Sequence, residues 1–97
     1  MVHHIVLWNF NEDLKEPDRK KAAELIREKL EEVKKQADGV ISLKVVTEGL
    51  ASGNRDIALI SEFESEEALK AYQVHPAHVK AGAYIRTVTC NRAGFDY

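Results

Sequence analysis

The first strand pattern in the chain has apolar side chains on both faces, and this limits the folds open to the whole sequence. From Val2 to Phe10 the residues are mostly β-branched, aromatic or aliphatic, which are the types that favour strands. Successive side chains point to opposite faces of a strand. One face carries His3, Ile5 and Leu7, and the other carries Val2, His4, Val6, Trp8 and Phe10. Such a strand needs a cover on each side, so we expect both of its faces to be buried.

A long amphipathic segment begins at Pro17. Proline suits the first turn of a helix because its missing N–H costs little there. The apolar positions that follow recur at steps of three and four residues, which predicts one buried stripe. Its members are Ala22, Ala23, Leu25, Ile26, Leu30, Val33 and Ala37. Asp38-Gly39 supplies the stop signal, so we predict a long helix that ends there.

Three further segments have strand character. Val40–Leu50 and Arg55–Phe63 are separated by a loop that is rich in small residues, which favours an antiparallel hairpin. Thr87–Tyr97 predicts a last strand, in which Gly94 is a candidate bulge.

A second helix is predicted between the hairpin and the last strand. Ser65 can cap its first turn, and Ala68, Leu69 and Tyr72 are spaced to share one face. Proline disfavours the helical conformation of the residue before it. The helix should therefore break at His75-Pro76 and restart there.

The order β-α-β-β-α-β predicts an α+β fold in a single domain over residues 1–97. It closes as a four-stranded antiparallel sheet with both helices on one face, the ferredoxin-like arrangement. Two helices cover one face of the sheet, and apolar residues such as Trp8 and Leu59 remain for the other. A second copy of the chain is the simplest cover, so we expect a homodimer with Trp8 in its interface. The alternative is that this face binds a ligand or a different protein.

The charge pattern argues against two classes of partner. The net charge is −2, and basic residues are interleaved with acidic ones, so no basic patch for nucleic acid or an anionic membrane is visible.

Cys90 is the only cysteine, which excludes an intramolecular disulfide. There is no signal-peptide pattern and no apolar run near the ~20 residues that span a bilayer. We expect a cytoplasmic protein.

The segment from Ala71 to Val79 concentrates the side chains that are suited to chemistry. Tyr72, His75 and His78 lie within seven residues around a proline. Histidine titrates near neutrality, and a neighbouring tyrosine can orient a substrate oxygen or donate to it. The structural alternatives are that Tyr72 packs in the core, that His75 caps a helix and that His78 closes the turn.

A metal site is the alternative for the histidines. His75 and His78, with His4 as a third donor, have side chains that transition metals favour. The helix break separates the first two, and no carboxylate is spaced to complete the set. We therefore predict neither a metal nor a cofactor.

The chain resembles the stress-responsive dimeric α/β-barrel family, often called Dabb. The resemblance extends over nearly all of the sequence, and its most specific part is the segment from His75 to Val79. The matching segments are His4–Leu7, Phe63–Ser65, Ala68–Tyr72, His75–Val79 and Phe95–Tyr97. The resemblance implies a ferredoxin-like protomer that pairs into a barrel-shaped dimer.

The resemblance does not imply one activity. Some members are stress-induced oligomeric proteins, and one plant member is a polyketide cyclase that performs an intramolecular aldol condensation. Residue by residue, the histidine base of that cyclase corresponds to His78, its tyrosine to Tyr72 and its first-strand histidine to His4. Its third-strand histidine has no counterpart in Arg55–Ala58.

Two functions of different classes follow. In the first, a homodimeric stress-response A/B barrel protein binds a small organic molecule in a pocket of each protomer, using His4, Tyr72, His75 and His78. In the second, a cofactor-free cyclase or lyase uses His78 as general base, and Tyr72 donates to the developing enolate. A purely structural oligomer is a third hypothesis.

Overall fold

The chain forms a four-stranded antiparallel sheet with its helices packed against one face. The computed structural model describes residues 1–97. Its elements are β1 (Val2–Phe10), α1 (Asp18–Gln36), β2 (Val40–Val46), β3 (Ile57–Phe63), α2 (Glu66–Val74), α3 (Pro76–Val88) and β4 (Thr89–Asp96). The strand order is β2-β3-β1-β4, with β1 and β3 at the centre. The predicted ferredoxin-like fold is confirmed.

Helix α1 contributes most of the helical side of the core. Five of its predicted apolar residues are buried: Ala22, Ala23, Ile26, Leu30 and Val33. Leu25 is 40% exposed, so its assignment to the buried stripe is wrong. Leu25 precedes Ile26 by one position, which rotates it about 100° away from the sheet. Past the helix, Gly39 has a φ of +79°, and a Cβ there would meet the Ala68 Cβ at 2.6 Å. Both the backbone conformation and the lack of space therefore require glycine.

The predicted helix break is confirmed, with α2 ending at Val74 and α3 beginning at Pro76. Both helices have a side-chain N-cap. The Ser65 hydroxyl accepts from the Ala68 N–H at 3.1 Å, and His75 Nδ1 accepts from the Ala77 N–H at 3.1 Å. No helix is both long enough and apolar enough to cross a membrane.

The strand bounds differ from the predicted ones because neighbouring elements extend further. Helix α3 continues to Val88, so β4 begins at Thr89 and not at Thr87. The irregularity in β4 is not at Gly94. The register shift lies between the partners of Leu7 and Asn9, next to Asn91, whose φ is 53°. Residues 47–56 form a longer connection than predicted between β2 and β3.

The helices cover the face of β1 that the sequence prediction assigned to the dimer interface. His4, Val6, Trp8 and Phe10 are buried beneath the helices. Trp8 is only 7% exposed within one protomer, so its assignment to a dimer interface is wrong. Alternation separates the two faces of a strand, but it does not say which face the helices will cover.

The uncovered face of the sheet is also apolar, but through other residues. Ile5 of β1 pairs with Ile60 of β3 and with Phe95 of β4. Phe95 is 67% exposed and Ile60 is 45% exposed. Leu7 and Ala58 pair two residues further along the same strands, and they extend this surface on the same face. We call it the open face, and it leaves a contiguous apolar area without a cover in one protomer.

Candidate functional site

A cavity of about 180 Å³ lies between the sheet and the helices. Its walls combine apolar side chains with a small number of polar ones, the usual composition of a small-molecule site. The apolar wall includes Val6, Trp8, Leu30, Leu59 and Ile85. The polar lining consists of His4, His78, Arg86 and Arg92. Two of the predicted site residues, which are 74 positions apart in the sequence, thus line one cavity.

His4 is fixed by a carboxylate on the neighbouring strand. The register of β1 with β4 places His4 opposite Asp96, and His4 Nδ1 lies 2.5 Å from Asp96 Oδ1. Because a carboxylate accepts, Nδ1 carries the proton and the ring orientation is set. Asp96 was not predicted as a site residue, since only the strand pairing brings it to His4.

His78 is held in its neutral form by its surroundings. Partial burial is the largest cause and lowers the pKa of its imidazole below the ordinary 6.5. A hydrogen bond with the Gln73 backbone raises this pKa in part, and smaller electrostatic interactions with His4, Arg92 and Arg86 lower it. At neutral pH the imidazole can therefore accept a proton or a hydrogen bond from a ligand.

Tyr72 packs directly against that imidazole. The two ring centroids are 4.6 Å apart, and the centroid of the Phe63 ring lies 4.9 Å from that of the phenol. The Tyr72 hydroxyl is buried and has no hydrogen-bond partner in the protein. Burial raises the pKa of Tyr72 to about 12, so the phenol remains a donor at neutral pH. Tyr72 touches His78 but does not itself line the cavity.

His75 is not brought together with the other three predicted residues. Its Nδ1 caps α3, and its side chain does not line the cavity. No group of three His, Cys, Asp or Glu side chains is arranged as metal ligands. The structure therefore places His4, Tyr72 and His78 in one cluster and His75 in the adjacent turn.

The lowered pKa of His78 predicts a specific pH dependence of stability. The unfolded chain takes up this proton at a higher pH than the folded chain does, so the free energy of unfolding decreases as pH falls through about 6.5. His78→Gln should remove this part of the decrease, measured by urea unfolding at pH 7.5 and 5.5. His75→Asn, which keeps a capping acceptor, is the control. An unchanged pH dependence in His78→Gln would contradict the prediction.

The chain is therefore a ferredoxin-like α+β protein with a cavity between its sheet and its helices. The chain belongs to the stress responsive A/B barrel domain family, whose family model matches residues 2–97. A search of curated proteins found no match.

Solved structures with the same fold include dimeric proteins. One is a dimeric ferredoxin-like protein of unknown function from Bacteroides fragilis, with 28% identity and a TM-score of 0.90, covering 99% of this chain and 93% of its own. A second, from Thermobifida fusca, is also dimeric and ferredoxin-like, with 25% identity and a TM-score of 0.84, covering 99% and 88%. The hydroxynitrile lyase of Passiflora edulis shares the fold, with 18% identity and a TM-score of 0.79, covering 99% and 90%.

Proposed function

We propose that this protein is a homodimer that binds a small organic molecule in the cavity of each protomer. The observation that carries the proposal is the cavity itself, in which apolar walls surround His4 and His78. Convergent polar groups in an apolar cavity are typical of a ligand site. A volume of about 180 Å³ is below that of sites for drug-sized ligands, so the ligand is small.

The open face supports the homodimer. Ile5, Ile60 and Phe95 would expose a contiguous apolar surface in an isolated protomer. Surfaces of this kind are normally covered by a partner. The dimeric relatives from Bacteroides fragilis and Thermobifida fusca make a second copy the favoured cover. The cavity is on the opposite side of the sheet, so each protomer would keep its own site.

The ligand proposal is tested by native mass spectrometry of gently purified protein and of protein incubated with a small-molecule extract. We expect dimers that carry an extra mass, which is released on denaturation. Gly82 lines the cavity, and a Cβ there meets only the flexible Arg86 side chain at 3.4 Å. Gly82→Leu should therefore fill the cavity and remove the extra mass, while the dimer persists.

The control is Gly49→Leu, where a Cβ meets nothing within 4 Å and no cavity-lining residue is changed. It should retain the extra mass. Dimers that stay bare after incubation, or that carry the same mass in Gly82→Leu, would contradict the proposal.

A second candidate function is a cofactor-free cyclase or lyase, which the neutral His78 beside Tyr72 favours. His78 would take a proton from the carbon next to a carbonyl, and Tyr72, which packs against His78 outside the cavity lining, would donate through a water molecule to the enolate oxygen that develops. The Passiflora edulis hydroxynitrile lyase, at 18% identity, provides a lyase on the same fold.

The enzymatic proposal is tested with the ligand that native mass spectrometry identifies. Its exchange of carbon-bound hydrogen for deuterium, or its conversion, is followed by NMR. His78→Gln should slow the reaction by about 10²- to 10⁴-fold, the usual contribution of a general base. His75→Asn should leave the rate unchanged, and full activity in His78→Gln would exclude His78 as the base.

A further inference from the structure

We infer that the ligand of this cavity carries a carboxylate, and that Arg86 and Arg92 bind it. The inference rests on the proposed small-molecule site and adds the charge and chemical class of the ligand. Arg86 comes from α3 and Arg92 from β4, so two elements on different sides of the cavity each contribute a guanidinium.

A glycine lies next to each guanidinium. A Cβ at Gly82 would be 3.4 Å from Arg86 Nη1, and a Cβ at Gly94 would be 3.3 Å from Arg92 Nη1. Gly82 precedes Arg86 by four residues on the same helix face, and Gly94 follows Arg92 by two on the same strand face. The absence of both side chains gives each guanidinium room to lie close to the backbone at the cavity.

Neither arginine has a partner within the chain. The other three arginines donate to acceptors in the protein: Arg19 to Leu14 and Asn11, Arg27 to Thr47, and Arg55 to Asn91 and Asn54. Arg86 and Arg92 are exposed in one protomer, and their guanidiniums make no hydrogen bond and no ion pair within the chain. The two free guanidiniums of this protein are thus at the same cavity.

The cavity contains no acidic residue that could neutralise this charge. None of its lining residues is Asp or Glu, and the nearby Asp96 is already bonded to His4. Both arginines are close enough to His78 to help lower its pKa. Both arginines are exposed to solvent in one protomer, so they stay hydrated in the empty site, and an anionic ligand group would add a counter-charge.

The shape of the site favours a carboxylate attached to an apolar body. Guanidinium groups bind carboxylates through two parallel hydrogen bonds, and such charge-assisted bonds are among the stronger ones in proteins. Trp8 and Leu59 offer an apolar wall to the rest of the ligand. Phosphate would satisfy the same donors, so the experiment must separate the two oxyanions.

The test compares three probes that share one ring: benzoate, benzamide and phenyl phosphate. Trp8 is the only tryptophan and lines the cavity, so its fluorescence and its indole N–H resonance report occupancy directly. We expect benzoate to bind the wild-type dimer about 10- to 100-fold more tightly than benzamide, as charge-assisted hydrogen bonds imply. The double variant Arg86→Gln/Arg92→Gln should remove that preference.

Arg55→Gln is the control, since Arg55 is an arginine with protein partners outside the cavity. It should keep the preference for benzoate. Equal binding of benzoate and benzamide, or a preference that survives in the double variant, would overturn the inference while leaving the site in place. Tighter binding of phenyl phosphate than of benzoate would overturn the carboxylate assignment. Failure of all three probes to perturb Trp8 would contradict the small-molecule site itself.

Discussion

Ile60→Asp should convert the proposed homodimer into a folded monomer. Ile60 lies in the middle of the open face, between Ile5 on β1 and Lys44 on β2. Because it is 45% exposed in one protomer, a carboxylate there remains hydrated in the monomer. In a dimer whose sheets face each other, the same carboxylate and its symmetry mate would be buried in an apolar interface, at a cost of several kcal/mol per ion.

Sedimentation velocity and light scattering at micromolar concentration measure the outcome. Val79→Asp is the matched control, since Val79 is 54% exposed but lies on α3. It should remain dimeric. A dimer that persists in Ile60→Asp would place the interface on another surface, and circular dichroism establishes that the variant is folded.

The monomeric variant also separates the assembly from the site. The lining residues of the cavity lie on the helix side of the sheet, and Ile60 is on the other side. Benzoate should therefore bind the Ile60→Asp monomer with an affinity close to that of the wild type. A loss of binding together with dimerisation would indicate that the second copy shapes the cavity.

Local sequence signals accounted for most of the fold. The break at His75-Pro76 depends on one proline, and the burial of Ile26, Leu30 and Val33 follows from helical spacing alone. The assignment of Trp8 to the interface was wrong because the alternation of a strand is symmetric. It separates two faces, while the side that the helices cover depends on how the whole chain closes.

The candidate site was only partly predictable for the same reason. Tyr72 and His78 are close in sequence, so their proximity could be read from the helix break. Arg92 reaches the cavity, and Asp96 reaches His4, only through the pairing of β4 with β1. The register shift next to Asn91 adds one residue to β4. This extra residue interrupts the alternation of side chains along β4, so it determines which of them face the helices. No spacing rule applied to the sequence locates that bulge.

Tyr72→Phe should make the protein more stable. The Tyr72 hydroxyl is buried without a partner, and a buried donor left unpaired costs about 1–3 kcal/mol. Removing it leaves the ring contacts with Phe63 and His78 in place. The free energy of unfolding should therefore increase by about that amount, and each kcal/mol should raise Tm by about 4–8 °C for a domain of this size.

Urea and thermal unfolding measure this gain, and Tyr84→Phe on the half-exposed side of α3 is the control. A decrease in the stability of Tyr72→Phe would contradict the prediction and show that the hydroxyl is bonded in solution.

The same variant tests whether Tyr72 serves the ligand. If Tyr72 only packs in the core, Tyr72→Phe should stabilise the protein without weakening ligand binding. If Tyr72 instead serves the ligand, the same variant should bind the molecule recovered from the native dimer about 10-fold more weakly, as the loss of one hydrogen bond implies. Higher stability combined with weaker binding would therefore identify the Tyr72 hydroxyl as a donor retained for the ligand, while higher stability with unchanged binding would assign Tyr72 to the core alone.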